Sequence, residues 1–585
     1  DFFDTLFVRF LLDPEDVFDI VGKRFGIKGF RDLRRAAQTE AFRRMHWAGL
    51  KEITLASIYE CFDHSSVPLD ALMRAEYESE LSLVYPNIEL LDIYLETVMS
   101  GKRVVLTSDT YLPAKFFNEV FRQHGLPAVP LFISADRNAT KRDYGELFDI
   151  IASELGIPHA RILHIGDNAQ SDVKQAKLKG LSTFYYTESR RPGKLQCVTP
   201  ESSMARGLLR KHYEEIHAGS FEELGFLYGG PAAVGFLDWI SDQAKRDKIG
   251  RILFVARDGY VLNCIASLCT NIYLPQFDYF LGSRTAFTLA AITETNFTEF
   301  LPFLLSGSVG LSPHELLDRI GVPAPAKGVM EDLGLGDDII VTESRFDQLS
   351  KFLYAYRWEI LKVCRSNKRA LHGYLKVLGV QPGSRVALVD IGWNGTTQDA
   401  FELAISDFMD IDVFGYYFCL SNTPDCRARQ QTRRMDALFS SDSGSSNLVD
   451  SIYGNRLAFE LFFSAPHDSI VGLELGPAGN IIGHNDVRRA YRVNQGLSAT
   501  KIAKGIEVFA CSYRDLLIKM RMPISPTDLA MPLIEFATEG QWRENELVRS
   551  VKNFDCWALS VNQDLLLVNQ LPVWVKNAEK TSDTP

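Results

Sequence analysis

Short apolar runs that end on a polar residue recur along the chain, and between them lie stretches with apolar residues at helical spacing. In the first third, Arg103–Ser108, Leu131–Ser134 and Ile162–Gly166 read as strands. Pro113 opens a helix, and Tyr144–Leu155 and Val173–Gly180 carry helical periodicity. Alternation of this kind predicts a parallel sheet with helices on both faces, whose ligands lie beyond the carboxyl ends of the strands. Residues 12–98 read instead as a charged helical insertion. The polar, Pro/Gly/Ser-rich stretch 188–204 reads as a linker. Beyond it come strands at Arg251–Ala256, Tyr279–Leu281, Arg385–Asp390 and Val413–Leu420, with a helical stretch over 348–379. Ser440–Asn447 is a polar loop, the region after about 495 is mostly helical, and Asn577–Pro585 is a polar tail. The predicted architecture is α/β twice over: a first domain at 1–187 with a cap at about 12–98, a second at 205–490, and a mostly helical region at 491–585.

At 585 residues the chain exceeds what one core usually organises. A composition of 46% hydrophobic and 23% charged residues is that of a globular protein. A formal charge of −11 argues against a non-specific grip on nucleic acid, so an anionic ligand must be held locally. No apolar run approaches a membrane span and no signal core opens the chain, so a cytoplasmic location is expected. Nine scattered cysteines without a close CxxC pair point to reduced, apolar use. Asp1 stands where a strand should be ending, so further apolar residues are expected ahead of it.

The polar ends of the first set of strands carry the chemistry. Asp1 in Asp1-Phe2-Phe3-Asp4-Thr5-Leu6 offers a nucleophilic carboxylate, with the Phe3 carbonyl facing a metal. Ser108 offers a hydroxyl to hold a transferred phosphoryl group, Lys141 offers a neutralising cation, and Asp167 with Asp172 offers an acidic pair for Mg²⁺. Taken singly, each has an ordinary reading: a helix-capping aspartate, a turn serine, a surface lysine. Their order is what gives the set meaning.

This ordered set resembles the haloacid dehalogenase superfamily over residues 1–187. The resemblance implies a Rossmann-like sheet with a helical cap, Asp1 as nucleophile, Ser108 and Lys141 as phosphoryl binders, and Asp167 with Asp172 as the Mg²⁺ pair. The chain departs from the family's phosphatases at Phe3, where they carry an aspartate that serves as general acid and base. Asp4 stands one position further on. Either Asp4 or a cap residue then supplies the proton, or turnover is slow.

In the second domain, Val389-Asp390-Ile391-Gly392-Trp393-Asn394-Gly395-Thr396-Thr397 is a buried strand ending in an acid and a turn whose main-chain amides suit a phosphate. It is similar in part to the diphosphate-sugar loop of phosphoribosyltransferases, although Ile391 stands where the second acid would be. A tight strand-to-helix turn with Trp393 packed locally is the other reading. Arg257-Asp258 and Ser283-Arg284 end two further strands, and both arginines suit an anion, whereas an Arg–Asp pair is often only a loop ion pair. Tyr453-Gly454-Asn455-Arg456, Glu460 and Ser464-Ala465-Pro466-His467 either line the same cleft or form an acceptor surface.

The pairing of an N-terminal FDTL module with a C-terminal module carrying RDGY and DIGWNGT resembles proteins encoded with bacterial surface-polysaccharide glycosyltransferases, above all the two-module ribofuranosyltransferases. That resemblance implies transfer of 5-phosphoribosyl from phosphoribosyl diphosphate, or another activated phosphosugar, to a glycan acceptor. The first module then removes the 5-phosphate with Mg²⁺. Association with polysaccharide assembly enzymes also follows from it. The alternatives are a sugar phosphatase with an accessory binding domain, and a scaffold that binds a phosphorylated ligand without hydrolysing it.

Overall fold

The computed structural model describes residues 1–62, 67–188, 199–212, 215–269, 272–441, 446–485, 493–520 and 525–551. Cys197, Cys556 and the tail at 577–585 lie outside them, as do parts of the 188–204 and 440–447 stretches. Two compact units divide the chain: Asp1–Ile216 with Cys511–Ser525, and His217–Ala510 with the described residues from Pro526.

In the first unit, β1 (Phe7–Arg9) pairs antiparallel with β2 (Val84–Pro86). The helices between them are Asp16–Phe25, Phe30–Trp47, Leu55–Tyr59 and Leu69–Leu83. The insertion expected over 12–98 is thus closed by a two-stranded neck at 84–86, and the helix Ile88–Met99 lies beyond it. A strand of three residues, Val-Tyr-Pro, is too short to break the helical periodicity around it. Inside the insertion, buried Arg34 makes a bidentate pair with buried Glu76 (2.7 and 2.8 Å), and Tyr59 donates to the same carboxylate (2.7 Å). A buried charge pair is tolerable when its hydrogen bonds are met in this way, and it ties two helices in one register.

Two parallel pairs follow: β3 (Leu106–Ser108) with β4 (Leu131–Ile133), and β5 (Leu163–Gly166) with β6 (Ser182–Tyr185). The strands are shorter than the apolar runs, and among the described residues the two pairs do not join into the single sheet expected of a Rossmann-like domain. The main-chain nitrogen of Asp1 donates to Ile165 O (2.6 Å), so residue 1 lies along β5, but one bond makes no ladder. The helix expected at Val173–Gly180 begins earlier, as a wide turn over Ala169–Gln175 that continues into Ala176–Leu178.

Residues 199–204 are not linker. Thr199 caps the helix Pro200–Leu209 with its side chain on the Ser202 amide, and Pro200 takes the first turn. The same Thr, Pro and Ser residues that mark a loop by composition mark a helix start by order. Glu201 is buried against Lys23 (2.7 Å), so this helix belongs to the first unit, which runs to Ile216 rather than 187.

The second unit contains a five-stranded sheet: β7 (Arg251–Val255), β8 (Gln276–Phe280), β9 (Arg385–Asp390), β10 (Asp412–Cys419) and β11 (Arg434–Phe439). All neighbours are parallel and the spatial order is β11-β10-β9-β7-β8. Counted along the chain this is 2-1-3-4-5, an order found in open doubly wound sheets, with its switch point between β7 and β9. The inner strands read as continuous apolar runs because both faces are covered: Ile252, Leu253, Phe254, Val386, Ala387, Leu388 and Val389 are all buried. Strand β11 carries an alternating, polar-rich sequence, Arg-Met-Asp-Ala-Leu-Phe, which hid it from the apolar pattern. The same holds for the hairpin β12 (Ile470–Leu475) with β13 (Ile481–Asn485), whose second strand is Ile-Ile-Gly-His-Asn. After 493 the described residues are helical, as expected. No helix among them is long and apolar enough to cross a membrane.

Candidate functional site

Residue 1 is fixed by the residue after it. Phe2 is fully buried, stacked on Phe7 (centroids 4.5 Å apart) and edge-on to Phe117 (4.6 Å), while its amide donates to Asp1 Oδ1 (2.7 Å). Lys141, also buried, places Nζ 3.0 Å from Asp1 Oδ1 and 2.6 Å from Asp172 Oδ1. Carboxylate oxygens of Asp1, Asp167 and Asp172 lie within 4.8 Å of one another. Four residues from three separate sequence motifs therefore meet at one point.

The turn after β5 is tied to itself. Asn168 accepts from the amides of Gln170 and Ser171 (2.9 and 3.1 Å) and donates its own amide to Asp172 Oδ2 (3.0 Å). Gly166 is required there, since a Cβ would stand 2.4 Å from the Asp172 carboxyl carbon. Burial alone would raise the pKa of Asp172, but Lys141 and then His164 hold the carboxyl below its usual range. His164 Nε2 lies 2.9 Å from Asp172 Oδ1, and burial pushes its imidazole down to about 3. A carboxylate can only accept, so a neutral His164 with the proton on Nε2 satisfies this bond.

Ser108 is buried at the end of β3. Its neighbour Asp109 accepts the amides of Lys141 (2.9 and 3.0 Å) and Arg142 (2.9 Å), which binds the strand end to the lysine loop. Phe3 is half-buried with the Arg9 guanidinium 3.8 Å from its ring centre. Neither His164 nor the anchoring role of Asp109 was evident from spacing: a histidine inside an apolar strand, and a polar residue just after one, have many ordinary uses.

In the second unit a cleft of about 320 Å³ opens at the carboxyl ends of β7 and β9, at the switch point. Of the residues expected there, Arg257, Asp258, Ser283, Arg284, Asp390, Gly392, Asn394, Thr396 and Thr397 line it. Gly395 does not. It precedes the helix Thr396–Ile405 with φ of 69°, and a Cβ there would stand 2.0 Å from Met435 Cε. From the later run, Tyr453, Arg456 and Glu460 line the cleft, whereas Gly454, Asn455 and Ser464-Ala465-Pro466-His467 do not. His467 acts one layer behind: its Nε2 lies 2.5 Å from the Tyr279 hydroxyl, which accepts the Arg257 amide (2.8 Å).

Three helices, Tyr260–Leu268, Arg284–Ala291 and Thr396–Ile405, begin at or beside this cleft. Their first-turn amides and dipoles favour an anion. Trp393 donates Nε1 to Glu460 Oε1 (3.0 Å) and also lines the cleft, so local packing, one of its two readings, does not keep it out of the site. Arg257, whose φ is 76°, reaches Asp258 Oδ1 (3.3 Å) and Glu460 Oε2 (3.6 Å). Burial pushes Asp390 well above the usual carboxyl range, and the adjoining Asp258 pushes it further in the same direction. The acid missing at Ile391 thus has a counterpart from another strand end. The hairpin residues Ser469, Ile470 and Val471 complete the wall, and no motif marked them.

No known family model and no curated protein matches the chain.

Proposed function

We propose that the first unit is a Mg²⁺-dependent phosphomonoesterase and the second a transferase for a diphosphate-activated sugar, most specifically 5-phosphoribosyl from phosphoribosyl diphosphate to a glycan acceptor. The observation that carries the first half is the meeting of four residues: Lys141 within 3.0 Å of Asp1 and 2.6 Å of Asp172, and carboxylate oxygens of Asp1, Asp167 and Asp172 within 4.8 Å of one another. Three carboxylates at that spacing are the hard oxygen donors that Mg²⁺ prefers, so the residues fit the ion. When bound, the ion would neutralise phosphate charge. Asp1 attacks phosphorus, Lys141 offsets the negative charge on the transferred group, and Ser108 holds one of its oxygens. Asp172 holds Lys141 in place, and His164 keeps Asp172 in register.

The second half rests on the cleft at the sheet's switch point, where three helix starts, Arg257 and Arg284 surround a space suited to a diphosphate. Asp390 and the Gly392–Thr397 turn stand near the phosphates in this reading, and the acceptor hydroxyl attacks the anomeric carbon as diphosphate leaves. The product would carry a 5-phosphate, the substrate class assigned to the first unit. The test is phosphate release from sugar phosphates and pyrophosphate release from phosphoribosyl diphosphate with a panel of glycan acceptors. Asp1→Asn should abolish the first activity and leave the second. Full phosphate release by a folded Asp1→Asn protein would overturn the nucleophile assignment, and a donor neither bound nor consumed would overturn the transferase.

The scaffold reading draws on Phe3, which leaves no acid two residues after Asp1. Hydrolysis gained only on Phe3→Asp would favour it; turnover by the parent removes it.

A further inference from the structure

A cavity of about 340 Å³ lies within the first unit, walled by Phe3 two residues after Asp1 and by Asp109, the carboxylate that holds the Lys141 amide. Its charged side chains are not equivalent. Arg142 spends both terminal nitrogens on Glu52 (2.7 and 3.0 Å), so that pair is closed. Arg9 donates only through Nε, to Glu80 Oε2 (3.1 Å), and neither of its terminal nitrogens has a hydrogen-bond partner among the described residues. The guanidinium is nevertheless largely buried and held flat, 3.8 Å from the centre of the Phe3 ring. Its two unpartnered terminal donors are open to the cavity rather than sealed in the core, so an oxygen anion entering there can meet them. Asp4, the carboxyl next to Phe3 in sequence, does not line the cavity.

We infer that Arg9, seated on Phe3 and anchored by Glu80, receives the leaving oxygen of a phosphorylated sugar alcohol, giving electrostatic stabilisation in place of a proton donor. This rests on the phosphatase reading of the same unit. In the step, Asp1 Oδ bonds to phosphorus, the bond from phosphorus to the sugar oxygen breaks, and its electron pair stays on that oxygen. The Arg9 nitrogens donate hydrogen bonds to the oxyanion, which takes its proton from water. The hydroxide so formed is neutralised by the proton released when a second water hydrolyses the aspartyl phosphate. Because a guanidinium stays charged throughout the working range, no acid group on the leaving side titrates away at alkaline pH.

The test compares ribose 5-phosphate, whose alkoxide needs stabilisation, with p-nitrophenyl phosphate, whose phenolate needs little. Removing one preorganised donor to an oxyanion typically costs 10²–10³-fold. In Arg9→Ala the ratio of kcat/KM for p-nitrophenyl phosphate over ribose 5-phosphate should therefore rise about 10²-fold, with a smaller rise in Arg9→Lys. Parallel loss on both substrates in both variants would overturn the assignment in favour of a packing role. A rise in KM confined to substrates with a second anionic group, with kcat kept, would overturn it in favour of anion recognition. If the parent hydrolyses neither compound with Mg²⁺ present, the phosphatase reading itself fails, which is a different result from parallel loss.

Discussion

At the scale of single residues, the first unit's site holds groups whose charge state is set by burial and close partners. His164 is neutral in the folded state because burial pushes its pKa down to about 3, against about 6.5 in an unfolded chain. Between those values the unfolded state binds more protons, so stability is full above roughly pH 6.5 and falls as the pH drops toward 3. Asp172, held below its usual range once Lys141 and His164 outweigh its burial, adds a loss in the same direction below about pH 4. Urea unfolding of the first unit should show a midpoint that falls between pH 7 and pH 4.5, and His164→Gln should flatten that slope; an unchanged slope would contradict the buried neutral imidazole. Gly166→Ala makes a second residue-scale case. The new methyl would push the Asp172 carboxylate aside, and overpacking of this kind costs about 1–3 kcal/mol. The variant should melt lower and need more Mg²⁺ for phosphate release. Asp1, Lys141, Asp167 and Asp172 were legible because each closes or follows a motif of fixed order. Arg9 and His164 were not, since their roles arise from what the chain brings beside them: a phenylalanine ring in one case, a carboxylate in the other.

At the scale of elements, the strands that sequence shows best are those buried on both faces. Arg385–Asp390 coincides with its apolar run, and β7, β8 and β10 lie within a few residues of theirs. Arg434–Phe439 and the 470–485 hairpin keep polar residues at exposed positions, so periodicity did not separate them from loops. The helix at 200–209 was lost for the opposite reason, its capping residues being those of a turn. The helix start at Thr396 yields a prediction at this scale. Gly395 has a left-handed φ of 69° and no room for a side chain against Met435, so Gly395→Ala should displace the first turn and its amides. Pyrophosphate binding to the protein, followed by calorimetry, should weaken about tenfold or more, since the loss of even one hydrogen bond to a charged group costs about 1.5–3 kcal/mol. Unchanged affinity would place the diphosphate elsewhere.

At the scale of the whole molecule, the His164–Asp172 pair of the first unit and Asp390 of the second should respond to pH in opposite senses. Asp390 carries a raised pKa, mainly from burial and then from Asp258, so its contribution to stability is present below about pH 4 and is lost as pH rises toward its folded value. Asp390→Asn removes that loss and should raise the melting temperature of the second unit at pH 8 while abolishing donor consumption, the trade expected when a site keeps a buried carboxyl for chemistry. In the proposed function one chain builds a phosphosugar linkage and then trims it. The most direct test follows the mass of a glycan acceptor incubated with phosphoribosyl diphosphate and Mg²⁺, using the parent protein and Asp1→Asn side by side. The account predicts a pentosyl-glycan from the parent and a phosphopentosyl-glycan that accumulates with Asp1→Asn; the same dephosphorylated product from both, or no adduct from either, would contradict it.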